Sequence, residues 1–145
     1  MTATPQSYAN HRRVFPLYHL FALPVLLAHV AVTLVGALRD PTLWTIWMVV
    51  VAVGLVAAVV ANRASTLIVQ NRVIGLEMRL RLATVLPVEL CQRIPELDLK
   101  QLVGLRYAGD AEVTSLVERC LRGELTTADA VKRAVRQWRP DYVRA

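Results

Sequence analysis

Three histidines, two cysteines and one basic-aromatic cluster are the residues of this sequence that could carry chemistry. His19 and His29 fall in the same uncharged stretch. On one helix they would lie about 15 Å apart and some 280° apart around the axis, so they cannot hold one metal ion together. His29 alone could be the axial ligand of a haem or a chlorophyll-type pigment, because ionisable groups inside an apolar stretch are candidates for function. A hydrogen bond to a neighbouring helix is the simpler use of such a side chain.

The cysteines and carboxylates do not form a catalytic or metal-binding pattern. Cys91 and Cys120 are separated by 29 positions and no histidine follows His29, so the spacing matches no zinc motif. Reduced thiols that pack as small apolar groups are the expectation for both. General acid–base chemistry is unsupported, because no histidine lies near the carboxylates of this half, namely Glu89, Glu96 and Asp98. The sequence therefore predicts a protein that is not an enzyme and binds no metal.

The densest positive charge lies near the end of the chain, on Lys132, Arg133, Arg136 and Arg139, beside Trp138 and Tyr142. Lysine and arginine together outnumber aspartate and glutamate by 17 to 11. Such a cluster could meet nucleic acid, with the aromatic rings stacking on bases. Next to membrane-spanning segments, phospholipid headgroups or an acidic protein surface are the better match. Five residues are therefore expected to contact lipid or a protein partner and not nucleic acid: Lys132, Arg133, Arg136, Trp138 and Arg139.

Two uncharged segments, 14–38 and 43–61, make the sequence 55% hydrophobic. As helices they would reach about 37 Å and 28 Å, against about 30 Å for the hydrocarbon core of a bilayer. The link between them is so short that the two must be antiparallel neighbours. Asp40 is a suitable N-cap for the second helix, and Pro41 would take its first position. Residues 14–61 are thus predicted to form a transmembrane hairpin, with a bend at Pro24.

The distribution of basic residues predicts the orientation of this hairpin. Its turn carries only Arg39 and Asp40, whereas basic residues cluster on both outer flanks, at Arg12, Arg13, Arg63, Arg72, Arg79 and Arg81. The positive-inside rule then places both termini in the cytoplasm. Residues 1–13 are expected to be a loose cytoplasmic segment.

The second helix is expected to continue through residues 62–86 as an amphipathic juxtamembrane helix, since no proline intervenes before Pro87. Residues 87–145 then read as a small cytoplasmic helical module. Its predicted helices are 99–108, 111–122 and 128–137, with caps at Asp98, Asp110, Gly123 and Thr126. The last of these helices would place Trp138 beside Val131 and Val135. The fold class is therefore an all-α membrane protein: a two-helix transmembrane hairpin, an amphipathic juxtamembrane helix and a helical module.

Small residues recur at four-residue spacing in the second span, as Gly54 with Ala58 and Ala57 with Ala61. Such faces permit close helix approach. Packing of the hairpin on itself is the simplest use of this face. Whether a second face mediates a homodimer is left open by the sequence.

Several runs together resemble one family. They are Gln6 to Arg13 followed by Pro16 to His19, Val69 to Ile74 leading to Glu77 to Arg81, Gln101 to Ala108, and Ala130 to Asp141. The chain resembles small bacterial two-span inner-membrane proteins whose domain has no assigned function. The resemblance implies a bacterial inner-membrane location and supplies no catalytic residue.

The leading functional hypothesis is a non-enzymatic accessory or scaffold subunit, anchored by the hairpin and docked onto a larger membrane assembly. A respiratory or photosynthetic pigment–protein complex is one possible host. The competing hypothesis is a small haem- or pigment-binding protein that uses His29, and a weaker one is a lipid-modifying enzyme at the inner leaflet. Membrane lipids and a larger complex, or a second copy of the chain, are the expected partners.

Overall fold

A computed structural model of the protein describes residues 6–10 and 15–141, and the prediction of an all-α fold is confirmed for them. Over these two ranges no strand occurs beyond one isolated bridge. The helices are α1 (Leu23–Arg39), α2 (Leu43–Val85), α3 (Val88–Cys91), α4 (Leu99–Leu105), α5 (Asp110–Leu121) and α6 (Ala128–Ala134). A π-helical stretch, Leu17–Ala22, precedes α1, and a 3₁₀ turn, Ile94–Glu96, precedes α4.

The described chain packs as two separate units, residues 15–67 and residues 68–141 together with 6–10. In the first unit, Leu17–Arg39 is one continuous helical stretch of 23 residues. The apolar first part of α2 is likewise an uninterrupted helix. Both stretches are long and apolar enough to cross a membrane, and their most hydrophobic windows are 0% and 6% buried within the protein. The start of the predicted first span, at Val14, lies outside the described residues, as do His11 to Arg13.

Pro24 has a visible effect on the first helix. It is one of the first two residues of α1, directly after the π-helical stretch. Proline lacks the N–H that would bond to the carbonyl four residues earlier, and its ring crowds that carbonyl. The preceding turn widens to π geometry as a result. The structure thus shows a π-helical stretch directly before Pro24, and the bend that the sequence predicts there stays a prediction.

The turn differs from its prediction. Asp40 closes α1, with its backbone N–H bonded to the carbonyl of Gly36 at 3.0 Å. The N-cap of α2 is Thr42, whose hydroxyl accepts the N–H of Thr45 at 3.2 Å. The Thr45 hydroxyl accepts the N–H of Thr42 in return, at 3.0 Å. The prediction of Asp40 as N-cap is thus wrong, because two threonines at capping-box spacing satisfy the helix end reciprocally.

The small residues of the second span do not pack the hairpin. Gly54, Ala57, Ala58 and Ala61 are all exposed, and a methyl group added at Gly54 would meet nothing within 4 Å. In this unit α2 instead buries Ala52 completely. The prediction that these small residues pack the hairpin on itself is therefore wrong.

α2 continues past Ala61 to Val85, as predicted. Its last turns belong to the core of the second unit, where Ile74, Met78, Leu82 and Leu86 are buried at four-residue spacing. Each residue of an α-helix advances about 100° around the axis, so these four form one face. Residues 74–86 thus supply one wall of the helical module.

Two caps of the module follow the sequence. The Asp98 side chain and Gln101 form a capping box at the start of α4. Gly123 ends α5 with a positive φ of 78°, and its N–H bonds to the carbonyl of Cys120 at 3.0 Å. The next N–H, of Glu124, bonds to Arg119 at 3.0 Å. This is a Schellman motif, in which glycine takes the left-handed conformation without strain.

Two other caps differ from the sequence. Asp110 is the first residue of α5 and not its cap, because Gly109 occupies the cap position. The Asp110 carboxylate binds Arg81 of α2 instead, at 2.5 Å. The cap of α6 is Thr127, whose side chain accepts the N–H of Ala130 at 3.1 Å. Thr126 was predicted for that role, one position too early.

α4 and α6 pack closely against each other at Gly104. A Cβ added at Gly104 would lie 2.6 Å from the Cβ of Val131, so only glycine allows this approach. Gln101 is the one buried polar residue among those described, and its amide nitrogen binds the carbonyl of Leu125 at 2.9 Å. The loop after α5 is thereby fixed to α4.

Candidate functional site

The predicted basic-aromatic helix ends early. α6 stops at Ala134, and its C-cap Val135 is extended, so the prediction of a helix over 128–137 is wrong. The carboxylate of Glu112 on α5 accepts the backbone N–H of Arg136 at 3.1 Å and that of Gln137 at 2.9 Å. In a continued helix these N–H groups would bond to carbonyls of α6. Glu112 replaces those bonds and holds the chain in an extended conformation.

The extended segment pairs with the residues that follow α4. Ala108 and Trp138 form an antiparallel bridge, flanked by two backbone hydrogen bonds. Gly109 donates to the carbonyl of Gln137 at 3.0 Å, and Arg139 donates to the carbonyl of Tyr107 at 2.7 Å. Trp138 therefore lies in this segment and not on α6. Its ring is half-buried against the core, 4.8 Å from the ring of Tyr107.

Tyr107 is the centre of a cationic and aromatic cluster. Its side chain is fully buried, with the Arg106 guanidinium 4.5 Å and the Lys132 ammonium 5.7 Å from the ring centroid. Arg106 also donates to the Tyr107 hydroxyl and lies 3.4 Å from a carboxylate oxygen of Asp141. Cations over an aromatic ring are stabilised by its negative face. Lys132 and Trp138 therefore have a role inside the module.

Among the described residues, the other three predicted cations, Arg133, Arg136 and Arg139, do not lie over the Tyr107 ring. Arg133 and Arg136 line an open cleft of about 430 Å³ between α5 and the end of α6, with Arg119 on the opposite wall. Leu116 and Ser115 also line it. Arg139 is exposed and does not line the cleft. The five predicted contact residues thus separate into an internal pair, a cleft pair and one exposed arginine.

The arginines of the cleft differ in how they are paired. Arg119 binds Glu124 at 2.9 Å, and Arg133 binds Asp129 at 3.0 Å. In the described part of the chain, Arg136 makes no side-chain ion pair. Arg122 and Arg119 lower the pKa of Glu124, so this carboxylate is ionised at neutral pH. The cleft offers guanidinium groups suited to a carboxylate or a phosphate, with Arg136 available for a new contact.

The start of the chain packs on α6. The Tyr8 hydroxyl donates to Asp129 at 2.8 Å and accepts from the Nε of Arg133 at 3.0 Å. The Gln6 amide oxygen accepts the backbone N–H of Asp141 at 2.8 Å. Residues 6–10 were expected to be loose. They are held because Tyr8 extends the Asp129–Arg133 pair into a three-member network, which sequence spacing could not indicate.

His29 is half-buried on α1, and its backbone carbonyl accepts the hydroxyl of Thr33 at 2.9 Å. His19 is exposed and binds its own helix start through Phe15. Over residues 6–10 and 15–141 no group of three or more His, Cys, Asp or Glu could hold a metal ion. A pigment on His29 stays a prediction, which the visible absorption spectrum of the purified protein, compared with His29→Leu, would test.

The two cysteines are free thiols. Cys120 is buried in the core, and burial raises its pKa to about 11. Cys91 is half-buried and donates to the carbonyl of Leu86 at 3.3 Å. A buried neutral thiol is a poor nucleophile, so Cys120 serves packing.

Sequence reasoning missed the α5 side of the cleft. Glu112 and Arg119 were not singled out, although their spacing places both on one face of α5. The basic residues of α6 were the available signal, because a binding surface that includes them must also include residues of a neighbouring helix. Which helix that would be depends on the tertiary packing.

The structure defines an all-α protein in which two apolar helices of membrane-spanning length accompany a separately packed helical module with an arginine-lined cleft. The chain belongs to a family of unknown function (DUF6526), which it matches over residues 1–145. No curated protein and no solved structure matches it.

Proposed function

We propose that the protein is a non-enzymatic accessory subunit, anchored in the cytoplasmic membrane by its two apolar helices and docked to a larger membrane assembly through the α5–α6 cleft. The observation that carries this proposal is the open cleft of Arg119, Arg133 and Arg136 on a module that accompanies two exposed apolar helices. A carboxylate-rich segment of a partner is the ligand that this chemistry favours, since guanidinium groups bind carboxylates through paired hydrogen bonds.

The contacts of Tyr8 support a two-span arrangement. Residues 6–10, before the first apolar helix, contact α6, which follows the second. A chain that crosses a membrane between these two parts must cross it an even number of times. Two spans meet this condition, and the basic residues at the flanks favour a cytoplasmic location for the module.

Lys132 and Trp138 contact Tyr107 inside the module, so variants at these two positions cannot test docking alone. Truncation of Trp138 would remove a ring from the face of Tyr107 and so perturb the module itself. Lys132 lies against the same ring. Arg136 is exposed, and within residues 6–10 and 15–141 its side chain makes no ion pair while its backbone N–H is bound by Glu112. Its side chain can therefore be changed without loss of a contact among these residues.

The test is purification of tagged full-length protein at native expression level in a mild detergent, with identification of copurifying membrane proteins. Arg136→Glu should lose a stoichiometric membrane partner. Arg139→Glu, the same charge change outside the cleft, should retain it. A wild-type protein without such a partner would contradict the accessory role. Equal small losses in both variants would indicate diffuse contact with lipid headgroups instead.

A further inference from the structure

The part of α2 in the helical module has a second apolar face that nothing in the described protein covers. Val69, Val73, Leu76 and Leu80 are 60%, 47%, 61% and 72% exposed. Their spacing of four, three and four residues is the spacing of a coiled-coil seam. On the helix they lie roughly opposite Ile74, Met78 and Leu82, which face the module core. We call these four residues the α2 seam.

We propose that the α2 seam is the interface with a second copy of this chain, as a short parallel coiled coil. The proposal rests on the proposed membrane anchoring. Two copies inserted with the same topology run α2 in the same direction, so any pairing along it must be parallel. In heptad terms Val73 and Leu80 take position a, and Val69 and Leu76 take position d. The central layers, Val at a and Leu at d, are the combination that favours two strands.

The charges that flank the α2 seam complement those of an identical copy. Arg72 takes position g and Glu77 the following position e, the two positions that face each other across a parallel dimer. Twofold symmetry would form this pair twice. Both residues are exposed, and within the ranges that the structure describes neither makes an ion pair. Residues five apart on one helix do not face each other, so the pair cannot form within a chain.

The seam is short, at about 17 Å from Val69 to Leu80. A soluble coiled coil of this length would be marginal, because helix pairing gains stability with each heptad. Anchoring in a membrane confines both copies to two dimensions and fixes their direction, which raises their effective concentration. The hydrophobic contact can therefore be small and still hold the dimer.

Cross-linking in native membranes tests the proposal directly. Leu76→Cys in the full-length protein should form a disulfide-linked dimer on mild oxidation. Val88→Cys is the matched control, because Val88 is 73% exposed but lies off the seam; it should not cross-link, and neither should wild type. Absence of cross-linking at position 76 overturns the proposal and leaves the bilayer surface or another protein as the cover of the seam.

A charge exchange tests the register. Arg72→Glu and Glu77→Arg should each weaken dimerisation of the detergent-purified protein about threefold to tenfold at low salt, since each places like charges together twice. The double variant should restore it. Single variants without effect, or a double variant weaker than both, would overturn the Arg72–Glu77 pairing and with it the parallel seam.

The outcomes separate this proposal from the proposed function. Carbonate extraction of the same membranes shows whether the chain is inserted at all, and loss of insertion would remove both. An inserted chain that retains its partner but does not cross-link at position 76 loses only the dimer. Arg136→Glu should lose the partner and leave the cross-link unchanged.

Discussion

The carboxylate of Glu112 binds the backbone N–H of Arg136 at 3.1 Å, and this contact joins the first turn of α5 to the residue where the chain has left α6. A second oxygen of the same carboxylate binds the N–H of Gln137 at 2.9 Å. One side chain thus decides where the last helix ends and where the wall of the cleft lies.

Glu112→Ala should lower the free energy of unfolding of the module by about 1–2 kcal/mol, because two backbone N–H groups lose a charged acceptor. The measurement is a urea titration of the full-length protein in mild detergent, in which maleimide labelling of buried Cys120 reports unfolding at each urea concentration. Glu118→Ala, on the exposed side of the same helix, is the control and should change little. Equal stability of the two variants would show that water satisfies both N–H groups.

Gly104→Ala should destabilise the module by about 1–3 kcal/mol, because the new methyl group would lie 2.6 Å from the Cβ of Val131. Gly75→Ala is the matched control. Its methyl group would lie 2.6 Å from the Cδ1 of Leu99 and 3.8 Å from the Nη1 of Arg79. Both atoms are ends of flexible side chains that can move aside, and alanine favours the helix. The same urea titration measures both variants. A neutral Gly104→Ala would mean that α4 and α6 can separate at little cost.

Asp110→Asn should lower the Tm at neutral pH and should lower it less in acid. The Arg81 guanidinium lowers the pKa of Asp110 below its usual value of 3.8. The stabilisation by the carboxylate is therefore complete above about pH 5 and is lost as the pH falls through the lowered pKa. The Tm of both proteins at pH 7 and pH 3 checks this, with Glu89→Gln as an exposed control. A difference of the same size at pH 7 and pH 3 would contradict the ion pair.

Cys120 should resist thiol reagents until the module opens, whereas half-buried Cys91 should react faster. Burial raises the pKa of Cys120 to about 11 from an ordinary value of 9.0. The stability that this neutral thiol contributes is complete below pH 9 and is lost as the pH rises towards 11. Labelling rates from pH 7 to 11, with mass spectrometry of each cysteine, measure the effect. Comparable rates at pH 7 would place Cys120 at the surface.

The orientation needs reporters other than the native cysteines, because burial alone would protect Cys120 from labelling. Asp40→Cys and Lys100→Cys, each in a chain with Cys91→Ala and Cys120→Ala, are both exposed positions. A membrane-impermeant maleimide should label position 40 in intact cells and position 100 only after permeabilisation. The reverse pattern would place the module outside.

Sequence could predict features whose causes are local. The capping box of Asp98 depends on a residue three positions away. The position of Gly123 depends only on the helix that it ends. Both were therefore predicted correctly. Asp110 was misassigned because Arg81, which is 29 positions away, binds its carboxylate. The end of α6 likewise depends on Glu112, 24 positions from Arg136. Contacts at such separations appear only when helices pack.

Prediction of the cleft from sequence was limited in the same way. Its arginines at 133 and 136 were recognisable as a basic cluster, but Trp138 and Lys132 were grouped with them on the assumption of one continuous helix. Loss of the helix after Ala134 turns Trp138 towards Tyr107. Composition identified the right segment, and the backbone conformation decided which side chains face outward.

The hydrogen bond between Tyr8 and Asp129 joins residues 121 positions apart, which has a consequence for biogenesis. Tyr8 is synthesised first and must wait for nearly the whole chain before its partner leaves the ribosome. If only one of the two apolar helices entered the membrane, Tyr8 and Asp129 would be stranded on opposite sides and the bond could not close. Under the proposed membrane anchoring, the bond can therefore form only after both apolar helices have inserted.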